Sequence, residues 1–199
     1  TKTYVYNYNG TLLSGWPKTT SSGLYLPTTS LADIDGNGDL EIFVTGGKNT
    51  THYGDPGYTI YGFHHDGTFI QNWPIQVPNG IWMWTTPIIG DIDSDNQVEI
   101  LVGSPGCYLR AYNLDGSLVS GYPVQLFNTD IKCTINQIDL VNLGFNNNLL
   151  IGAVTSQQYV VGDDYVYRKA FILDTGELYT PGLMEWPTFM HDLSHSGLY

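Results

Sequence analysis

The chain has 199 residues, 42 % of them hydrophobic, which suffices to bury a core and argues against disorder. With 19 Asp and Glu against 7 Lys and Arg the formal charge is -12, which argues against nucleic acid or an anionic membrane as partner and favours cations. No apolar run approaches the roughly 18 residues of a membrane span, and the opening Thr1-Lys2-Thr3-Tyr4 is not a signal peptide, so a secretion signal is expected upstream or already removed.

The 15 Tyr, 23 Gly and 10 Pro suit short aromatic strands joined by tight turns, and no long apolar stretch keeps a 3.6-residue period. In chain order the first element is a hairpin, with strands at 4–8 and 11–16 around Asn9-Gly10. An Asx-Gly pair between alternating residues is a strong hairpin signal, because both central positions of a type I′ turn need positive φ. A strand at 28–34 runs into Asp33-Ile34-Asp35-Gly36-Asn37-Gly38-Asp39-Leu40-Glu41, followed by strands at 41–45 and 59–64, the Asp66-Gly67 turn and a strand at 68–73. The pattern then returns. Asp91-Ile92-Asp93-Ser94-Asp95-Asn96-Gln97-Val98-Glu99 repeats the acidic loop, and Asp115-Gly116 leads to Gly121-Tyr122-Pro123 as Asp66-Gly67 leads to Trp73-Pro74. A looser copy runs from Asp174-Thr175-Gly176 to Trp186-Pro187.

Gly10, Gly67 and Gly116 stand 57 and 49 residues apart, while Asp33, Asp91 and Asp139 stand 58 and 48 apart, so the two signals stay in phase. Four antiparallel strands per period of about 50 residues define a propeller blade. The expected fold is all-β: β-propeller blades of four antiparallel strands, about three and a half of them. Residues 1–17 form an outer half-blade, 25–75, 83–124 and 132–187 form blades, and 188–199 form a closing segment. A two-sheet sandwich would explain the alternation but not the phase. The half-blade lacks the inner strands that should lie beside it, so upstream or partner propeller blades are expected to supply them.

The spacing of the acidic loops puts oxygen ligands at alternate positions of a tight turn, as Ca²⁺ with its 6 to 8 oxygens requires. Two calcium sites are expected. Asp33, Asp35, Asn37 and Glu41 would ligate through side chains with Asp39 through its carbonyl; Asp91, Asp93, Asp95 and Glu99 would do the same with Gln97 in the backbone role. An EF-hand is excluded because Val44 and Val102 hold the twelfth position, where a bidentate Glu belongs. A solvated Asx turn without metal is the alternative. At Asp139 the next two ligand positions are Val141 and Leu143, so no metal is expected there.

These acidic loops ahead of Ile42-Phe43-Val44 and Ile100-Leu101-Val102, the turn leading to Gly15-Trp16-Pro17, and the closing 186–199 segment beginning Trp186-Pro187 resemble the FG-GAP/VCBS-type repeat propellers. These occur in integrin α subunits and in many secreted proteins. The resemblance covers nearly the whole chain and implies calcium in the acidic loops, an extracellular or cell-surface location, and a closing segment at the end of the propeller. The third loop, Tyr122 in place of Trp, and the insert at 155–164 depart from the pattern.

Elsewhere, His191 and His195 are four residues apart but lack an evident third ligand, and His64-His65 before a hairpin reads as surface with one ring facing in. Trp16, Trp73 and Tyr122 recur at one place in each unit and are expected to pack between blades. Trp82 and Trp84 do not recur; they are either core or an exposed platform for a protein or carbohydrate ligand. Up-and-down strand alternation puts Cys107 and Cys133 at the same face of the propeller, where a disulfide would tie adjacent blades; their separation across the sheet, which decides whether they bond, is not fixed by the sequence. No Ser stands in a Gly-x-Ser-x-Gly elbow and neither Cys has a convincing His partner. The expected function is therefore a non-catalytic, calcium-stabilised extracellular binding or adhesion module of a larger secreted protein. The rival reading is the accessory or catalytic propeller of a secreted polysaccharide-degrading enzyme or peptidase.

Overall fold

The structure, a computed structural model, describes residues 2–20, 28–47, 58–78, 85–126, 132–142, 147–158 and 166–184. Trp82, Trp84, Trp186, His191, His195 and the closing segment lie outside the described residues. The described residues are almost entirely β, in four antiparallel sheets. The half-blade pairs β1 (Lys2–Thr3) with β2 (Lys18–Thr19). The first full sheet is an up-and-down meander of β3 (Thr29–Ala32), β4 (Glu41–Gly47), β5 (Tyr58–Phe63) and β6 (Ile75–Val77). The second repeats it with β7 (Ile88–Gly90), β8 (Glu99–Ser104), β9 (Tyr108–Tyr112) and β10 (Val124–Gln125). The third comprises β11 (Lys132–Val141), β12 (Asn148–Gln158) and β13 (Val166–Leu178).

The second strand of each full sheet is a β-branched and aromatic run buried on both faces, as strands covered from two sides must be. Successive side chains point to opposite faces. In β4, Ile42 and Val44 join a cluster with Trp16, Tyr61 and Phe63 against the half-blade, while Phe43 joins the large cluster shared with the later sheets. The first full sheet is thus a slab whose two faces contact different neighbours. On the half-blade, Tyr4 and Tyr6 stand exposed where their counterparts Tyr61 and Phe63 are buried.

The outermost strands depart from expectation. After the Asp66-Gly67 turn the chain makes one bridge, Phe63 to Phe69, and then turns again, with Trp73 N donating to Ile70 O at 3.0 Å and Asn72 at φ 68. Pairing resumes only at β6, so the strand expected at 68–73 is a short bridge followed by a turn, with the regular strand beyond Pro74. The half-blade and the second full sheet do the same: Tyr6 bridges Leu12 ahead of β2, and Tyr112 bridges Leu118 ahead of β10. The second turn carries the indole out of the sheet toward the next unit. Trp16 Nε1 donates to His65 O at 2.8 Å and Trp73 Nε1 to Leu114 O at 2.8 Å. Gly15, at φ 88, lies so close to the Asp66 carbonyl that a Cβ would overlap it; Asn72 in the same place donates its amide to Asp115 O at 2.9 Å. Trp16 and Trp73 therefore join units, as expected of them.

In the third unit, Asp174-Thr175-Gly176 does not reverse the chain. The register passes from Leu150 opposite Asp174 to Asn148 opposite Leu178, a bulge within β13 held by Thr175 Oγ1 donating to Leu149 O at 3.0 Å. Asp139 lies inside β11 opposite Gly152 and accepts from Gln137 Nε2 at 2.9 Å.

Cys107, just ahead of β9, and Cys133 on β11 form the disulfide between adjacent units, with Cα atoms 5.2 Å apart and both residues buried. Gly106 N also donates to Cys133 O at 2.8 Å, so two links meet at one point. Closing a loop with a sequence separation of 26 restricts the unfolded chain by about 3.5 kcal/mol in the loop-entropy account. The C107A/C133A double variant is expected to lose about that much in urea unfolding, and a loss below about 1 kcal/mol would show that the inter-unit contacts suffice alone.

Candidate cation sites in the acidic loops

Both acidic loops leave the first strand of a sheet and end on a buried glutamate that opens the second. Glu41 is fully buried and Glu99 is 1 % exposed. Each uses one oxygen to hold the loop entrance: Glu41 Oε2 accepts from Ile34 N at 3.1 Å, and Glu99 Oε2 accepts from Ile92 N at 2.8 Å. Positive φ at Gly36 and Gly38, and at Ser94 and Asn96, bends the chain over these carboxylates.

In the first loop, Asp33 accepts from two backbone amides, Asn37 N at 3.1 Å on Oδ1 and Gly38 N at 2.9 Å on Oδ2. Asn37 Oδ1 accepts from Asp39 N at 2.6 Å, and Asp39 Oδ2 faces His65 Nδ1 at 3.5 Å. The donors brought together are Asp35, Glu41 and His64, with one ligand atom of each within 4.8 Å of the others. His64 Nδ1 lies 3.2 Å from Glu41 Oε1.

The second loop converges differently. Asp91, Asp93 and Glu99 bring one oxygen each within 4.8 Å. Asp91 is 4 % exposed; its Oδ2 accepts from Asn96 N at 3.1 Å, whereas its Oδ1 is buried with no hydrogen-bond partner. Asp95 accepts from Gln97 N and Nε2 at 2.8 and 3.1 Å, beside the cluster. Among the described residues no lysine or arginine pairs with the three converging carboxylates.

The electrostatics follow from this crowding. Burial, reinforced by Asp93, Asp95 and Asp91 and opposed by the Ile92 amide, pushes Glu99 up to about 8. Burial and the same neighbouring carboxylates raise Asp93, and burial raises Glu41 despite its bonds to Ile34 and His64. Tyr122 is pushed up to about 12, by burial first and then by Glu99 and Asp93.

A buried carboxylate oxygen without a donor is costly, and three carboxylates converging without a cationic side chain repel one another. A hard divalent cation would remove both penalties, so the second loop fits calcium. Of the ten residues expected as ligands, Asp35, Glu41, Asp91, Asp93 and Glu99 converge. Asp33 and Asp95 lie outside these two sets; like Asn37, and like the converging Asp35 and Asp91, their side chains accept backbone amides of their own loops, and Asp39 and Gln97 were expected only through their carbonyls. His64 was not among the expected ligands. Its signal was position: it precedes Gly67 by three residues, as Asn113 precedes Gly116, and Asn113 lines the cleft with Asp93, Asp95 and Glu99.

Residues 33–102, which hold both loops and β4 to β7, match the family model for the FG-GAP-like repeat. No curated protein and no solved structure matches the chain.

Proposed function

Because the chain carries an FG-GAP-like repeat, we propose that it is a calcium-stabilised binding or adhesion module of an extracellular protein, without catalytic activity of its own. The observation that carries the calcium reading is the unpartnered, buried Asp91 Oδ1 beside Asp93 and Glu99. Bound calcium would supply positive charge at the point where three carboxylates meet, and Asp91, Asp93 and Glu99 would hold it. The inter-unit disulfide supports an oxidising compartment. The carboxylates that could have paired as acid and base are those committed to the loops. A protein or carbohydrate ligand is the proposed partner, with Trp82 and Trp84 as candidate contacts on sequence grounds alone.

Calorimetric titration of chelator-treated protein with calcium tests this. We expect saturable binding at the second loop, abolished in D91N, and a rise in Tm on calcium addition. Absence of heat together with an unchanged Tm would defeat the calcium reading.

A further inference from the structure

We infer that the cation site of the second acidic loop is also a latch for the third unit: by fixing Asp91 it holds the short turn Pro181–Leu183 and the adjoining Met184 against β7. This rests on reading the second loop as a calcium site and concerns what else that calcium holds in place.

Asp91 belongs to both structures. Its backbone N donates to Leu183 O at 3.0 Å, in the turn that follows β13, while its side chain is one of the three carboxylates that converge in the loop. Among the described residues no backbone hydrogen bond ties the first acidic loop to another unit. The preceding residue, Gly90, is packed as closely: a Cβ there would come within 2.8 Å of Leu140 Cδ1 and 2.9 Å of Met184 Sδ, and Met184 is buried. Glu177, also from the third unit, adds its negative charge to the field at Asp93. The third unit has no acidic loop of its own, because Asp139 lies inside β11 and residues 142–147 carry no carboxylate.

Loop and joint must therefore move together. Without a cation, Asp91 Oδ1 is buried with no partner and is repelled by Asp93 and Glu99. Swinging Asp91 outward relieves both penalties, and it draws the backbone N away from Leu183 O. A close-packed contact transmits such a shift instead of absorbing it, so Gly90 moves against Leu140 and Met184 and the joint loosens. Calcium removes the repulsion and with it the drive to open. The coupling is reciprocal: the factor by which calcium favours the closed joint is the factor by which the closed joint favours calcium. Uniform stabilisation of the fold, with no part for the joint, is the competing account.

The experiment uses the full chain with its disulfide intact, stripped of metal and titrated calorimetrically with calcium chloride. M184A removes a contact of the joint and none of the three carboxylates, and should weaken calcium binding at the second loop about tenfold. I135A truncates another buried side chain of the third unit, toward the start of β11 and away from Leu140, and should leave that affinity within about twofold. On the unaltered protein, saturating calcium should slow hydrogen exchange of the Leu183 amide, which donates to Thr180 O within the turn, by about tenfold. Calcium binding as tight in M184A as in the parent, or weakened equally in I135A, would overturn the latch while leaving the calcium reading intact. A Leu183 amide that exchanges equally fast with and without bound calcium would do the same. No calcium binding by the parent protein would remove both readings together.

Discussion

Stripping divalent cations from the protein should cost little stability near pH 4.5 and most near pH 8. The cause is Glu99, which burial and the Asp91, Asp93 and Asp95 carboxylates push up to about 8 in the cation-free fold. In the unfolded chain it titrates near 4.5. Between these values the folded state keeps a proton that the unfolded state has released, so the stability of the cation-free protein falls as pH rises, with a slope of about 1.4 kcal/mol per pH unit. Across the window this amounts to on the order of 4 kcal/mol, and the raised Glu41 works in the same direction. Calcium reverses the demand, because it binds the ionised carboxylates and its affinity rises as their protons leave. Thermal unfolding from pH 4.5 to 8 should therefore show a gap in Tm between calcium-loaded and metal-free protein that widens with pH. E99Q, neutral throughout, should flatten the metal-free profile; a metal-free profile as steep as the parent's would show that another group carries the dependence.

The phase of the repeats made the sheets legible, because Asx-Gly pairs and acidic loops are local signals whose backbone demands do not depend on distant contacts. The path of the outermost strands was not legible from those signals. Trp73 looked like the end of a strand, but the chain leaves the sheet at Asn72 because its indole finds an acceptor in Leu114 of the next unit, a contact 41 residues away. At Asp174-Thr175-Gly176 the local sequence again suggested a turn; the Thr175 hydroxyl bonded to Leu149 O makes it a bulge in a continuing strand. The cation sites divide along the same line. Spacing identified the loops, while which oxygens face inward depends on backbone amides, and the entry of His64 depends on the pairing of β4 with β5. Cys107 and Cys133 could be placed on one face by strand alternation, and their 5.2 Å Cα separation came from the fold.

Truncating Trp73 to alanine should be the most damaging single change among the inter-unit contacts. The residue is 5 % exposed, its ring meets Phe43 edge-on at a centroid distance of 5.2 Å, and its Nε1 satisfies Leu114 O. Loss of a buried indole costs about 3–5 kcal/mol, and the abandoned carbonyl adds about 1 kcal/mol or more. A total near 5 kcal/mol is thus expected for W73A. W73F keeps the six-membered ring's share of the packing while removing the donor and the rest of the indole, and should cost less than W73A, about 2–3 kcal/mol. Because the indole joins the first full sheet to the second, W73A should also weaken their cooperation. In a repeat architecture stability is a sum of unit and interface contributions, so loss of an interface favours separate unfolding of the units. Urea unfolding of W73A should then show a lower apparent m-value or a second transition, whereas W73F keeps a single one. A W73A protein that unfolds in one transition with a loss below about 1 kcal/mol would mean that the sheets are joined by the rest of the shared core, and that the indole merely fills space between them.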